Sequence, residues 1–315
     1  MTDKPVPDVG GWFRTADYSG KLSGRTITPR HGPISADGYG LVSPSWVLDE
    51  AFTLIDGRST MVLTGAGMST GSGLPDYRGA DAVPRSPMTY QEFTGSDLSR
   101  RRYWARSTVG WRWFDAARPN TAHHALVALG ERTPLSGVVT QNVDGLHQEA
   151  GSSPVLDLHG NLSRVLCLTC GDVTERSALQ ETLLEMNPDF AGRLEELSQE
   201  SMTAPDGDAE VDRTEEFRYP DCAVCGGILK PDVVFFGENA HPEIVGRAFT
   251  LLEESSALLV LGSSLTVMSG LRFVRRAAKD GRDIVIAGDG PTRGDDLATV
   301  RVHGRLEDIL SRWAG

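Results

Sequence analysis

The chain has 315 residues and a formal net charge of −12, with 39% hydrophobic and 23% charged residues, as in an ordinary globular protein of one or two domains. The acidic balance argues against a nucleic-acid-binding protein, which needs a basic face for phosphates. The sequence contains no run of 18 apolar residues and no apolar signal segment near residue 1, so we expect a cytoplasmic protein without a membrane partner.

Residues 1–43 are rich in Gly, Pro, Ser and Asp and are predicted to form an extended arm. A helix is predicted to follow, with Ser43 as its N-cap and Pro44 at its first position. Short apolar runs then predict buried strands, separated by helical patterns; the strands are 60–64, 137–140, 257–261 and 284–287, and the helices are 121–130, 242–255 and 269–280. Apolar strands that alternate with helices indicate a parallel sheet covered on both faces. The predicted fold class is therefore α/β, a Rossmann-like doubly wound parallel sheet whose ligand site lies at the carboxyl ends of its strands.

Two segments interrupt this alternation and are predicted to form a smaller second lobe. Residues 80–118 contain many Tyr, Trp and Arg residues and no strand pattern, and residues 160–228 contain all four cysteines. In the second insertion, Ser177 and Gln180 have the spacing of a capping box, and Asn187-Pro188 predicts another helix start. The Rossmann-like domain then consists of residues 44–79, 119–159 and 229–315.

The negative charge is concentrated between the cysteine pairs, where residues 171–221 hold fifteen acidic residues and four arginines. We interpret this stretch as a solvated acidic surface. The alternative is an acidic rim that attracts basic protein substrates by electrostatic steering.

The cysteines form two Cys-x-x-Cys pairs, and no thiol is left over; they are Cys167, Cys170, Cys222 and Cys225. Two residues between thiols let one tight turn present both sulfur atoms to one metal ion. Two such turns complete a tetrahedral four-thiolate site, which suits a structural zinc because no coordination position stays open for water. The alternatives are a redox dithiol, which needs one pair rather than two, and disulfides, which are typical of secreted chains.

Small and polar residues follow each predicted strand. Gly65-Ala66-Gly67 lets the backbone approach a pyrophosphate, but the spacing of the dinucleotide fingerprint is not met because Thr70 stands at its sixth place. Residues 140–147, 262–265 and 288–293 are placed in the same way, and each of them could be a simple turn. These loops alone indicate a nucleotide site only weakly.

Two further features lie where the lobes should meet. His159 precedes a glycine and stands eight residues before the first cysteine, so it is a candidate general base in a cleft, although a lone histidine is more often structural. Residues 230–238 follow the second cysteine pair. They are interpreted either as a core strand or as an edge strand that pairs with a peptide backbone.

Taken together and in this order, the motifs resemble those of the sirtuin family of NAD-dependent protein deacylases. The resemblance runs from about residue 44 to the end and rests on GAGxSxxSGxPDYR, TQNVDGLH, LHG, the two CxxC pairs, KPDVVFFGE, GSSL and GPTRGDDL. The segments 101–111 and 204–208 resemble class II members, the group of the mitochondrial sirtuin four. The missing transit peptide suggests a bacterial relative of that group.

The resemblance implies a Rossmann-like NAD domain, a zinc lobe and a cleft between them. It implies that His159 is the general base, that Asn142 also belongs to the catalytic centre, and that Val233, Val234 and Phe235 meet the acyl-lysine segment of a protein substrate. The implied NAD-binding residues are Gly65, Ala66, Gly67, Ser69, Asp76, Tyr77, Arg78, Gln141, Asn142, Asp144, Gly262, Ser263, Ser264, Gly288, Asp289 and Gly290.

The implied reaction consumes NAD and transfers no hydride. Nicotinamide leaves, His159 takes a proton from a ribose hydroxyl, and the acyl group moves from lysine to ADP-ribose. Positioning and the exclusion of water supply much of the rate of such a reaction. The family usually has Asn where Gly288 stands, so NAD binding could be weaker here, or Asp289 could replace the missing side chain.

The acyl specificity and the reaction balance stay open on the sequence. Tyr103 and Arg106 resemble the Tyr-x-x-Arg pair of desuccinylating sirtuins, in which arginine binds an acidic acyl group, but the two could simply share a helix face. A protein mono-ADP-ribosyltransferase or NAD hydrolase on the same scaffold cleaves the same bond and is the alternative function. A dehydrogenase is disfavoured by the missing fingerprint, and a zinc-ribbon module that binds other proteins is the non-enzymatic alternative.

Overall fold

The structure is a computed structural model that describes residues 40–75, 87–200 and 214–315, together with two short strands before them. The strands, in chain order, are β1 Lys21–Leu22, β2 Arg25–Thr26, β3 Thr60–Thr64, β4 Leu135–Thr140, β5 Val155–Asp157, β6 Gly160–Cys167, β7 Val173–Glu175, β8 Leu229–Val233, β9 Ala257–Leu261, β10 Asp283–Gly288 and β11 Val300–His303. The helices are α1 Ser45–Thr53, α2 Tyr90–Gly95, α3 Asp97–Ala116, α4 Thr121–Arg132, α5 Leu146–Glu149, α6 Arg176–Met186, α7 Pro188–Gly192, α8 Leu194–Glu200, α9 Pro242–Glu253, α10 Met268–Lys279 and α11 Leu306–Ala314.

Six strands form one fully parallel sheet in the order β11-β10-β9-β3-β4-β5. This is the strand order of a dinucleotide-binding Rossmann sheet, with the direction of strand addition reversing between β3 and β9. The predicted α/β fold class is confirmed, and all four predicted strands are present. The short edge strands β5 and β11 were not predicted from the sequence.

Both faces of this sheet are covered by helices, as continuous apolar strands predict. One face packs against α1, α4 and α11 through the alternate strand residues Val62, Leu259 and Val285. The opposite face carries Met61 and Leu258, which pack against α9 and α10. In the described part of the chain, no helix is both long enough and apolar enough to cross a membrane.

Two predicted helix starts differ from the structure. The N-cap of α1 is Pro44 rather than Ser43, whose hydroxyl instead accepts a hydrogen bond from the amide of His303 at 2.8 Å. The capping box at Ser177 and Gln180 is wrong, because α6 begins at Arg176 without a side-chain cap. The Gln180 side chain is buried and donates to the Thr108 carbonyl of α3 at 3.0 Å, so a tertiary contact overrides the local pattern. The helix start predicted at Asn187-Pro188 is present in α7.

A second, antiparallel sheet has the order β7-β6-β8, and among the described residues β8 lies at its edge. It packs with α2, α3 and α6 in one hydrophobic cluster that includes Phe93, Trp104, Val165 and Leu183. This cluster joins the insertions around residues 80–118 and 160–228, which supports the proposed smaller lobe. β6 begins directly after β5 and His159, so the two sheets are connected at that histidine.

Candidate active site and zinc centre

The four cysteines converge in the smaller lobe. Their Sγ atoms all lie within 4.8 Å of one another, and the described residues contain no disulfide. The Cys167–Cys225 and Cys170–Cys222 sulfur pairs are 3.5 and 3.8 Å apart. A tetrahedron with zinc–sulfur bonds of about 2.3 Å has sulfur–sulfur edges of about 3.8 Å, so the four thiols fit a structural zinc.

The two halves of this centre are built by the same local turn. A glycine with positive φ follows each pair, Gly171 at 75° and Gly226 at 70°. The amide of each glycine donates to the carbonyl of the first cysteine of its pair, at 3.0 and 2.8 Å respectively. Because only glycine adopts this conformation without strain, the Cys-x-x-Cys-Gly pattern itself determines the shape of each turn.

The predicted nucleotide loops meet at the point where the sheet reverses its direction of strand addition. The loop after β3 lies against the loop after β9, and a Cβ atom on Gly65 would lie 2.8 Å from Cα of Ser263. Gly67 and Gly262 approach equally closely, and the Gly67 amide donates to the Gly262 carbonyl at 2.9 Å. Glycine is therefore required at these positions for the two loops to pack this closely.

Polar side chains from the end of β4 complete this edge of the sheet. The Gln141 side-chain amide exchanges hydrogen bonds with the Ser263 hydroxyl, at 3.2 and 3.0 Å. Asn142 is buried, and its Nδ2 donates to Ser69 Oγ at 3.0 Å; Ser69 in turn donates to Asp144 Oδ2 at 2.6 Å. Side-chain hydrogen bonds therefore connect the loops that follow β3, β4 and β9.

The electrostatic state of Asp144 is set mainly by its burial, which raises the pKa of its carboxyl. Hydrogen bonds from the Ser69 hydroxyl and the Leu146 amide favour the charged form and offset part of this effect. Both carboxyl oxygens of Asp144 therefore accept hydrogen bonds from the protein, Oδ2 from Ser69 and Oδ1 from the Leu146 amide.

His159 lies between the two sheets with both ring nitrogens in hydrogen bonds. Nδ1 is 2.9 Å from the Gln141 carbonyl, and Nε2 is 2.7 Å from the hydroxyl of Ser269 on α10. A carbonyl can only accept, so Nδ1 carries the proton and Nε2 presents its lone pair to the Ser269 hydroxyl, which donates. Burial lowers the pKa of His159 and the charge of Arg272 lowers it further, while the hydrogen bond to Gln141 raises it. The ring is thus a neutral base of fixed tautomer.

The predicted substrate segment is tied directly to this histidine, since the Val234 amide donates to the His159 carbonyl at 2.8 Å. Buried Lys230 donates to the Val233 carbonyl and pairs with Glu238 at 3.2 Å, and Glu238 accepts from the Phe235 amide at 2.9 Å. Burial lowers the pKa of Lys230, which the carboxylate of Glu238 partly reverses. The Lys230–Glu238 pair therefore holds residues 233–238 in one turn at the end of β8.

Tyr103 of α3 joins this segment from the other insertion. Its buried ring is 5.2 Å from the ring of Phe235 and 5.3 Å from that of Phe93. Arg106 lies one turn further along α3 and is half-buried. The structure therefore brings Tyr103 to the predicted acyl-lysine segment.

The loop after β10 is held by contacts within the protein, and the replacement of the missing side chain by Asp289 stays a prediction. Gly288 is buried at φ 144°, and a Cβ atom there would lie 3.3 Å from the Gly262 amide, so a larger residue would be strained. Asp289 accepts hydrogen bonds from the amides of Gly40 and Gly290, at 2.8 and 2.9 Å. Arg301 holds the same loop by donating to the carbonyls of Gly288 and Gly290.

Three predicted NAD-binding residues, Asp76, Tyr77 and Arg78, lie outside the described residues. Ala66 is in a short 3₁₀ turn of the first loop, and Ser264 is hydrogen-bonded to Thr266 at 3.1 Å in the loop after β9. Ser269 and Gly270, at the start of α10, were not predicted to belong to the site. A helix was predicted from residue 269, but nothing in the sequence indicates that its first turn contacts a histidine 110 positions earlier.

The chain is similar to proteins of one family along most of its length. A model of the Sir2 family matches residues 65–269. The chain is 53% identical over 265 residues to NAD-dependent protein deacetylase 1 of Mycobacterium avium (strain 104), which covers 84% of this chain and 94% of the relative. It is 44% identical over 289 residues to NAD-dependent protein deacylase SIR4 of Batrachochytrium dendrobatidis, covering 85% and 94%. A solved structure of Sir2 with a p53 peptide and NAD+ has a TM-score of 0.63 and 27% identity, covering 86% of this chain and 97% of that one.

Proposed function

The chain belongs to the Sir2 family, and we infer from this that it is an NAD-dependent protein lysine deacylase. It uses NAD as a co-substrate and transfers the acyl group of a lysine to ADP-ribose with release of nicotinamide. The observation that carries the proposal is His159, a neutral base of fixed tautomer at the junction of the two sheets, in contact with Gln141. Class II membership, the acyl group removed and the location in the cell stay predictions.

The donor groups at the sheet edge support NAD as the ligand. Side-chain amides and hydroxyls of Gln141, Asn142 and Ser263 are suited to sugar hydroxyls, and Asp144 is suited to a carboxamide. Glycines at 65, 67 and 262 carry no side chains, which would let a pyrophosphate approach the backbone at the same edge. When bound, NAD supplies the ribose carbon that accepts the acyl oxygen and the hydroxyl that later carries the acyl group.

The protein groups contribute positioning and proton transfer. We assign His159 as the general base and Asn142 to the same reacting centre. The Val233–Phe235 segment would hold the acyl-lysine chain, because its backbone is anchored to the His159 carbonyl through Val234. The zinc would hold the smaller lobe together and take no part in the chemistry, since four thiolates leave no open coordination position.

A dicarboxylic acyl chain is the finer proposal for the substrate. Its support is the contact of Tyr103 with Phe235, which would bring a phenol hydroxyl and the start of α3 close to the acyl-lysine segment. Arg106 lies on the same helix and would supply the positive charge. Branched or lipoyl-type acyl chains would instead use the aromatic wall formed by Phe93, Tyr103 and Phe235.

The test is an incubation of the protein with NAD and peptides that carry acetyl-, succinyl-, glutaryl- or lipoyl-lysine, with mass spectrometry of peptide and nicotinamide. We expect free lysine and acyl-ADP-ribose in equal amounts from at least one peptide, and neither product from His159→Ala. A preference for acidic acyl groups that Arg106→Ala removes would support the finer proposal. Nicotinamide release without any deacylated peptide would contradict deacylation and favour ADP-ribosyl transfer or NAD hydrolysis.

A further inference from the structure

The lone pair of the proposed base is already engaged by a hydroxyl. Ser269 Oγ lies 2.7 Å from Nε2 of His159, while Nδ1 is committed to the Gln141 carbonyl. The hydroxyl therefore donates its own proton to Nε2, and its two oxygen lone pairs remain able to accept another proton. A substrate hydroxyl that approaches this nitrogen would meet Ser269 first.

The position of Ser269 is determined by close packing at the start of α10. The next residue, Gly270, is buried, and a Cβ atom on it would lie 2.3 Å from Gln141 Oε1. Since glycine has no side chain, the first turn of α10 approaches Gln141 closely enough for Ser269 to reach the ring. Gln141 is itself held by Ser263, so the histidine, the glutamine and the serine form one packed unit.

The first turn of α10 also favours a neutral ring. The N-terminal end of a helix carries a partial positive charge, and Arg272 follows Ser269 on the same helix. Both oppose a positive charge on His159, and Arg272 is one of the causes that lower its pKa. A hydroxyl that shares the transferred proton would spread the charge that develops in the reaction.

We propose that Ser269 relays a proton from the substrate ribose hydroxyl to His159 during acyl transfer, a role that rests on the proposed function. The ribose O–H bond breaks, and its oxygen forms a bond to the acyl carbon, whose π-electron pair moves onto the attached lysine nitrogen. The released proton bonds to Ser269 Oγ as the proton of Ser269 moves to Nε2. The step involves no oxidant or reductant, and its only net proton acceptor is His159.

Removal of the Ser269 hydroxyl should have different effects if Ser269 relays a proton than if it only orients the His159 ring. The ring is already oriented through Nδ1 and Gln141, so Ser269→Ala leaves the nitrogen in place but removes the path to it. Cleavage of nicotinamide precedes this proton transfer and should not need Ser269. General-base assistance is worth about 10²–10⁴ in rate, so loss of its path should slow acyl transfer by at least about tenfold.

The experiment compares unmodified protein, Ser269→Ala, Ser269→Thr and His159→Ala, with Thr250→Ala as a control that removes an exposed helix hydroxyl. Exchange of labelled nicotinamide into NAD reports the first step, and single-turnover formation of free lysine reports acyl transfer. We expect Ser269→Ala to slow acyl transfer at least about tenfold with exchange within about twofold, and Ser269→Thr to restore most of the rate. The control should match unmodified protein.

A second measurement does not depend on any variant folding correctly. Two protons move together in a relay, so acyl transfer by unmodified protein should show a curved dependence on the fraction of D₂O. A linear dependence, acyl transfer by Ser269→Ala within twofold of normal, or equal loss of both steps would overturn the relay. Absence of free lysine from unmodified protein would overturn the proposed function and the relay with it.

Discussion

The buried pair His123 and His147 should make the stability of this protein strongly dependent on pH. The two rings lie 4.9 Å apart, both are buried, and each has one nitrogen without a partner among the described residues. Burial lowers the pKa of His123 to about 4 and that of His147 to about 3. Both rings are therefore neutral in the folded protein at pH 5, whereas they are protonated in the unfolded chain.

The magnitude follows from proton linkage. The unfolded chain binds more protons than the folded protein below pH 6.5, so the free energy of unfolding falls as the pH falls from 6.5 toward 4 and 3. One pH unit is worth about 1.4 kcal/mol for each histidine, so at pH 5 each costs about 2 kcal/mol and the pair costs about 4 kcal/mol. That is a large share of the stability of a typical domain, which is about 5–15 kcal/mol.

The pair also supports the nucleotide loop. His147 Nε2 is 2.9 Å from Thr64 Oγ1 at the end of β3, and His123 is bonded to Asn120, whose side chain donates to the Met68 carbonyl at 2.9 Å. Urea unfolding between pH 8 and 5 should show a loss of stability that is about 2 kcal/mol smaller in His147→Gln than in unmodified protein. His241→Gln, at an exposed position, is the control. An equal loss in His147→Gln and unmodified protein would refute the reasoning.

Two further changes test the packing of the site and the zinc centre. Gly270→Ala would force Gln141 away from Ser263, because the new methyl group would lie 2.3 Å from Gln141 Oε1. We expect KM for NAD to rise about tenfold, which is the equivalent of one lost hydrogen bond. The control is Gly246→Ala on an exposed helix position, and an equal KM in the two variants would contradict this expectation. Cys170→Ser should abolish stoichiometric zinc, measured by elemental analysis, and change the fluorescence of Trp104 and Trp111, which lie on α3 in the smaller lobe. Full zinc content in Cys170→Ser would show that another group replaces the thiolate.

Much of the framework is determined locally and could be predicted. The strands β3, β9 and β10 are predicted from short apolar runs, since a strand buried on both faces is mainly apolar. The zinc centre is encoded by two Cys-x-x-Cys-Gly turns, each of which needs only its own residues to form. The carboxyl ends of parallel strands lie on one edge of the sheet, so the predicted loops had to meet there.

Local patterns failed where a distant residue competed for the same group. Ser177 and Gln180 have capping-box spacing, but Gln180 bonds instead to Thr108 on another helix. Ser43 was predicted to cap α1, yet its hydroxyl accepts a hydrogen bond from the amide of His303 instead. In each case a hydrogen bond between segments far apart in the sequence is more favourable than the local one, and only packing reveals it.

The sequence by itself determined the four inner strands of the parallel sheet, the candidate metal ligands and the candidate base. Only the tertiary structure decided the hydrogen bonds of that side chain, because the tautomer of His159 is set by the Gln141 carbonyl and its lone pair is engaged by Ser269. The serine reaches the ring because Gly270 lets α10 pack against Gln141, a contact between residues 129 positions apart. A contact of this kind leaves no local pattern in the sequence. It forms only when two elements, each specified by its own local sequence, pack against each other.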